Sequence, residues 1–149
     1  MSDVTTKNNF KDRIERFLKR QHFMKHIGFD LNVIEEGRTE GWLEIDQIHH
    51  QQTGIVHGGV ISTLADITAG FAAYTMVPGD HHVVTGELKV SYLNPGIGDK
   101  LHVIGYVIKS GRKVNFCESE VWCINGDDKK LIAKASASMI TIFPEDIKR

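Results

Sequence analysis

The chain has 149 residues, enough for one ordinary domain and too few for two comfortable ones. Hydrophobic residues make up 41% and charged residues 25%, with 14 glycines and 3 prolines, which excludes collagen-like, low-complexity and disordered chains. Lys plus Arg number 18 against 19 acids, a net charge of −1 without the basic excess of a nucleic-acid binder, and Cys117 and Cys123 alone make no disulfide framework.

Residues 1–7 lack the apolar core of a signal peptide, and Ser2 excludes myristoylation. Over residues 9–27, Phe10, Ile14, Phe17, Leu18, Met24 and Ile27 recur at helical spacing, and Gly28 is a natural C-cap. The other face, with Lys11, Arg13, Glu15, Arg16, Lys19 and Arg20, reads as solvated. Residues 29–35 and 42–46 alternate around a glycine-bounded turn at 37–41 and predict a hairpin, followed by a polar loop over 46–53.

Residues 58–77 are apolar nearly all round and predict a helix buried on most faces. The segment is long enough to span a membrane, but Asp66 would be costly at mid-bilayer. A buried central helix in a soluble, cytoplasmic protein is the expectation. After Val77-Pro78-Gly79-Asp80 the period changes to two: residues 83–93, 100–109, 114–124 and 131–142, joined by short turns, predict a four-stranded antiparallel meander. A curved sheet wrapping the apolar helix is the compact solution, giving one α+β domain over residues 1–149.

The most informative stretch is Gln51-Gln52-Thr53-Gly54-Ile55-Val56-His57-Gly58-Gly59, which runs into that helix. Gly58 and Gly59 leave unpaired N–H groups at a positive helix end, suited to a developing oxyanion; tight helix–sheet packing is the alternative reason for the glycine pair. Asp66, between Ala65 and Ile67, should be desolvated unless paired, which would raise its pKa and make it a general base or nucleophile, or else a structural Asp bonded to a loop or a second chain. Gly58 and Asp66 are eight residues apart, about 12 Å along one helix, so they cannot both reach one small reacting group. Two antiparallel copies could bring Gly58 of one chain near Asp66 of the other.

His57 could orient a substrate, transfer a proton or fix the loop. His49-His50 and His81-His82 lack the spaced partners of a metal site. Cys117 and Cys123 read as ordinary strand residues, and the turn Ser110-Gly111-Arg112-Lys113 as a phosphate grip or as solvated charge. Residues 125–130 read as plain hairpin chemistry.

Gly54-Ile55-Val56-His57-Gly58-Gly59, Leu64-Ala65-Asp66 and Glu87-Leu88-Lys89-Val90-Ser91-Tyr92-Leu93-Asn94-Pro95 together resemble the hot-dog fold thioesterases, in the branch typified by the phenylacetate-pathway acyl-CoA thioesterase. The resemblance implies an antiparallel sheet wrapped around a long helix, with a hot-dog core at 29–143 after an N-terminal helix at 1–28. It implies homodimers or dimers of dimers with active sites shared between chains, hydrolysing acyl-CoA thioesters without metal or organic cofactor. No nucleic-acid or membrane partner is expected, from the charge balance and from Asp66 in the apolar helix. By position, the Gly58 N–H would hold the thioester oxygen, the partner's Asp66 would be base or nucleophile, and Gln51 would polarise the oxygen or orient water. Thr85 falls where relatives keep a hydroxyl near that water, and Gly59, Arg112 and Lys113 fall at substrate-binding positions. Relatives with Gln at position 51 usually carry Glu on the helix, whereas this chain pairs Gln51 with Asp66. Strict alternation puts Thr85 with Glu87, Lys89 and Ser91, facing away from Leu88, Val90 and Tyr92. A non-catalytic acyl-CoA sensor and a hot-dog dehydratase are the alternatives on the same scaffold.

Overall fold

The structure, a computed structural model, describes residues 9–147; the reading of residues 1–7 lies outside the described residues. Two short helices, α1 (Asn9–Leu18) and α2 (His22–Ile27), precede strands β1 (Phe29–Glu35) and β2 (Arg38–Glu44). The long helix α3 (Gly58–Tyr74) follows, and then β3 (His82–Tyr92), β4 (Lys100–Ser110), β5 (Val114–Asn125) and β6 (Asp128–Ile142). The strands form one antiparallel sheet in the order β1-β2-β4-β5-β6-β3, and α3 packs against all six of them.

Alternation explains the packing. On β5 the inward residues Cys117, Ser119, Val121 and Cys123 are buried, and on β6 Ala133, Ala135, Ala137 and Met139 face the same way. They meet Ile61, Leu64, Ala65, Ala69 and Ala73 of α3. Burying a large aliphatic side chain such as Leu64, Leu101 or Val121 contributes about 1.5–3 kcal/mol, so this interface dominates the core. Gly105 on β4 sets the spacing: a Cβ there would lie 2.5 Å from the Thr68 carbonyl carbon, so a larger residue would push α3 off the sheet.

Four sequence expectations need correcting. The predicted helix over 9–27 is two helices, because the chain turns at residues 19–21 to lay α1 across the C-terminal end of α3. Gly28 does cap α2, with φ +78°. Arg13, assigned to a solvated face, is buried, and its Nη2 donates to the carbonyls of Tyr74 (2.6 Å) and Val77 (3.0 Å). A cation there faces the negative end of α3, which offsets part of its desolvation; burial still holds its pKa below the usual guanidinium value.

The first hairpin turns more tightly than predicted, since Glu35 pairs with Arg38, and Gly41 lies inside β2 opposite Leu31. The last four strands are not a simple meander. Only β4, β5 and β6 run in sequence order, while β3 lies at the far edge, paired with β6 alone. The Asn94-Pro95-Gly96 segment is accordingly a crossing loop rather than a hairpin turn, anchored where Val56 N–H donates to Gly96 O (2.9 Å). No described helix is long and apolar enough to cross a membrane.

Candidate active site

The sequence predicted α3 to be buried on most faces; in the protomer one flank is open. Gly59, Ser62, Thr63, Asp66 and Gly70 fall within about 100° of arc at 3.6 residues per turn, and none of them is fully buried. Asp66 is thus half-buried beside the edge strand β3, not desolvated as expected, and it has a partner: Thr85 Oγ1 donates to its Oδ1 at 2.6 Å.

Thr85 reaches Asp66 because β3 is irregular. Thr85 pairs with Met139 and Glu87 with Ser138, so Gly86 is an extra residue in the ladder. A β-bulge resets the alternation. It puts Thr85 on the inner face with Leu88, Val90 and Tyr92, reversing the grouping that strict alternation predicts.

At the other end of the flank, the loop before α3 is folded tightly. His50 and Val56 form an isolated bridge, Gln51 N–H donates to Ile55 O (2.8 Å) and His57 N–H to His49 O (2.8 Å). His57 is the N-cap of α3, its Nδ1 accepting from Gly59 N–H at 2.8 Å. With Nδ1 accepting, the neutral ring carries its proton on Nε2, and the ring is exposed. Gly58 is the first residue of α3, so its N–H has no intrahelical acceptor and lies at the positive helix end.

Gln51 sits in the same loop, but its carboxamide turns back on Thr53: Oε1 accepts from Thr53 N–H (2.7 Å) and Nε2 donates to Thr53 Oγ1. Arg112 and Lys113 do not join this group. Arg112 lies 4.7 Å over the Phe143 ring in a cleft with Met76 and Pro78, beyond the C-terminal end of α3. One protomer therefore gathers Gln51, His57, Gly58 and Gly59 at the start of α3 and Asp66 with Thr85 two turns on, and leaves Arg112 and Lys113 at the far end.

His49 and the two cysteines read from the sequence are structural. His49 is buried, its Nδ1 accepting from Asp46 N–H (2.9 Å) and its Nε2 bonded to Ile27 O (2.6 Å). Burial raises both thiols, Cys117 to about 12, which leaves them unreactive at neutral pH. No group of three His, Cys, Asp or Glu side chains among the described residues could hold a metal.

Three further hydroxyls position the site and carry no role in the sequence reading. Ser119 Oγ on β5 donates to Ala65 O (2.8 Å), and Thr39 Oγ1 on β2 donates to Thr68 O (2.7 Å). These two buried groups grip the α3 backbone on either side of Asp66. Tyr92, at the end of β3, donates its hydroxyl to Gly58 O at 3.0 Å. The available signal was a polar residue at an inward-facing strand position, where only a backbone carbonyl of α3 could satisfy it.

Comparison with known proteins gives a consistent result. Residues 53–130 match the model of the Thioesterase superfamily. A Saccharolobus solfataricus protein provisionally named an esterase is 32% identical over 124 residues, covering 83% of this chain and 86% of its own. The medium/long-chain acyl-CoA thioesterase YigI of Escherichia coli K12 is 27% identical over 139 residues, 83% of this chain and 88% of its own. Among solved structures, a thioesterase family protein from Silicibacter pomeroyi superposes with a TM-score of 0.88 at 26% identity, over 90% of this chain and 98% of that one. The match takes in His57 and the end of the loop before α3, α3 itself and β3, leaving Gln51 just outside it, and the chain belongs to the thioesterase superfamily.

Proposed function

We propose that this chain hydrolyses the thioester of an aryl- or medium-chain acyl-CoA, at sites built between two copies of itself. The observation that carries the reading is the open flank of α3, with a Thr85-bonded carboxylate at Asp66 and an unpaired N–H at Gly58. The medium/long-chain acyl-CoA thioesterase name of a relative 27% identical supports the substrate class.

Within one helix Gly58 and Asp66 are about 12 Å apart, too far to serve one carbonyl. Both lie near β3, which is paired on one side only, by β6. An unpaired edge is a template for a second strand. A second copy docking its β3 antiparallel on this edge would continue the sheet and bring the partner's Asp66 towards Gly58. A homodimer, or a dimer of dimers, is the assembly this reading requires.

In the proposed mechanism the thioester carbonyl accepts from Gly58 N–H at the positive end of α3, and His57 Nε2–H and Gln51 are second donors. Gln51 must first release Thr53. Gly59, without a side chain, leaves room for the thioester. Asp66 of the facing chain takes a proton from water as the water oxygen attacks, or attacks the carbonyl itself; Thr85 holds the carboxylate and orients that water. Collapse of the tetrahedral intermediate breaks the C–S bond, and the CoA thiolate takes up the proton that Asp66 removed from water. Where Asp66 itself attacks, the thiolate leaves an acyl–Asp66 anhydride, which water hydrolyses to the acid and the free carboxylate, the proton released going to the thiolate. Arg112 and Lys113 are assigned to the nucleotide phosphates, for which Arg112 would leave Phe143. The chemistry calls for no metal or organic cofactor, and a cytoplasmic location fits a CoA substrate.

The test is thiol release from aryl-, short-, medium- and long-chain acyl-CoAs. Turnover highest with aryl or medium chains is the expected result. Tight acyl-CoA binding without release from any of them would replace the reading with a non-catalytic sensor on the same scaffold, and hydration of an enoyl-CoA with a dehydratase.

A further inference from the structure

The role of Tyr92 follows from the bonds that meet on one peptide group. The carbonyl of Gly58 and the N–H of Gly59 belong to the same amide. Tyr92 O–H donates to that carbonyl (3.0 Å), and that N–H donates to His57 Nδ1 (2.8 Å). A donor on the C=O polarises the amide and strengthens its N–H as a donor, so the two bonds reinforce each other. The Tyr92 backbone is fixed by pairing with Ala133 in the sheet. Its ring packs on Gly58, where a Cβ would stand 3.4–3.6 Å from ring atoms and the hydroxyl. The first turn of a helix otherwise frays, and a glycine pair there has the least stiffness of any sequence.

Tyr92 is also 53% exposed, so the core gains little from the ring. The hydroxyl bond to Gly58, spanning 34 residues of sequence, is its distinguishing contact. We propose that Tyr92 is a positioning residue. Acting through the 58–59 peptide, it holds the first turn of α3 and the His57 ring so that Gly58 N–H and His57 Nε2–H converge on the thioester oxygen. This inference rests on the acyl-CoA thioesterase reading above. An oxyanion site works only when its donors are fixed before charge develops, so the effect belongs to the transition state and not to substrate binding.

The experiment compares wild type, Tyr92→Phe and Asp66→Asn, using the best acyl-CoA of the panel and amide exchange of Gly59 by NMR. Tyr92→Phe keeps the ring and removes only the hydroxyl. Its kcat should fall about tenfold, less than the loss of an oxyanion donor itself, with KM within about twofold and faster Gly59 exchange. An unchanged kcat, or a loss confined to KM, would overturn the proposal even where Asp66→Asn is inactive. If wild type releases no thiol, or Asp66→Asn is as fast as wild type, the thioesterase reading fails instead. The Gly59 exchange rate then decides alone: unchanged in Tyr92→Phe, it removes Tyr92 from any positioning role.

Discussion

Asp66→Asn should lower the rate of acyl-CoA hydrolysis by about two to four decades, the loss typical of removing a general base or a nucleophile. The substitution is nearly isosteric, and the Asn carbonyl oxygen can still accept from Thr85 Oγ1, which donates to Asp66 Oδ1 at 2.6 Å in the native chain. The residue is half-buried on the open flank of α3, and the grip of Ser119 on Ala65 O and of Thr39 on Thr68 O is untouched. Stability should therefore change little, and the loss should fall on kcat. Thiol release and a thermal melt on the same preparation separate the two. A variant as fast as wild type would take Asp66 out of the mechanism.

Gly58→Pro should cost about two to three decades in kcat, the range for deleting one oxyanion donor. Proline removes the N–H and little else at this position. It is well tolerated at the first residue of a helix, where that N–H has no intrahelical acceptor. The preceding residue, His57, already has φ −62° and ψ 133°, the extended conformation a following proline requires. The new Cβ would meet the Tyr92 ring at ordinary contact distance. Retained melting behaviour with lost turnover is the expected result; full turnover would show that the amide does not hold the thioester oxygen.

Much of this was legible in the sequence because local chemistry dictates it. The apolar run after Gly58-Gly59 folds as the central helix, Gly28 ends α2, and the period-two segments after Asp80 are strands. The misreadings share a cause, which is that long-range partners override local pattern. Arg13 looks solvated by helical spacing alone, and only the distant carbonyls of Tyr74 and Val77 explain its burial. Thr85 looks outward until the extra residue at Gly86 turns it towards Asp66, and a bulge has no dependable signal beyond the glycine itself. The position of β3 at the sheet edge depends on the choice of β6 over β4 as its neighbour, which turn lengths did not reveal. The open flank of α3 was readable, since Ser62, Thr63 and Asp66 share one stripe. The overall apolarity of the helix obscured it.

The central claim is that Gly58 and Asp66 of different chains form one site, and mixed dimers test it most directly. Chains carrying Gly58→Pro and chains carrying Asp66→Asn, each with its own affinity tag, are co-expressed and the heterodimer is isolated. If sites are shared, one of its two sites is doubly altered and the other is intact, so the heterodimer should recover about half the wild-type activity while both homodimers stay inactive. A heterodimer as inactive as its parents would place the whole site within one chain and contradict the account.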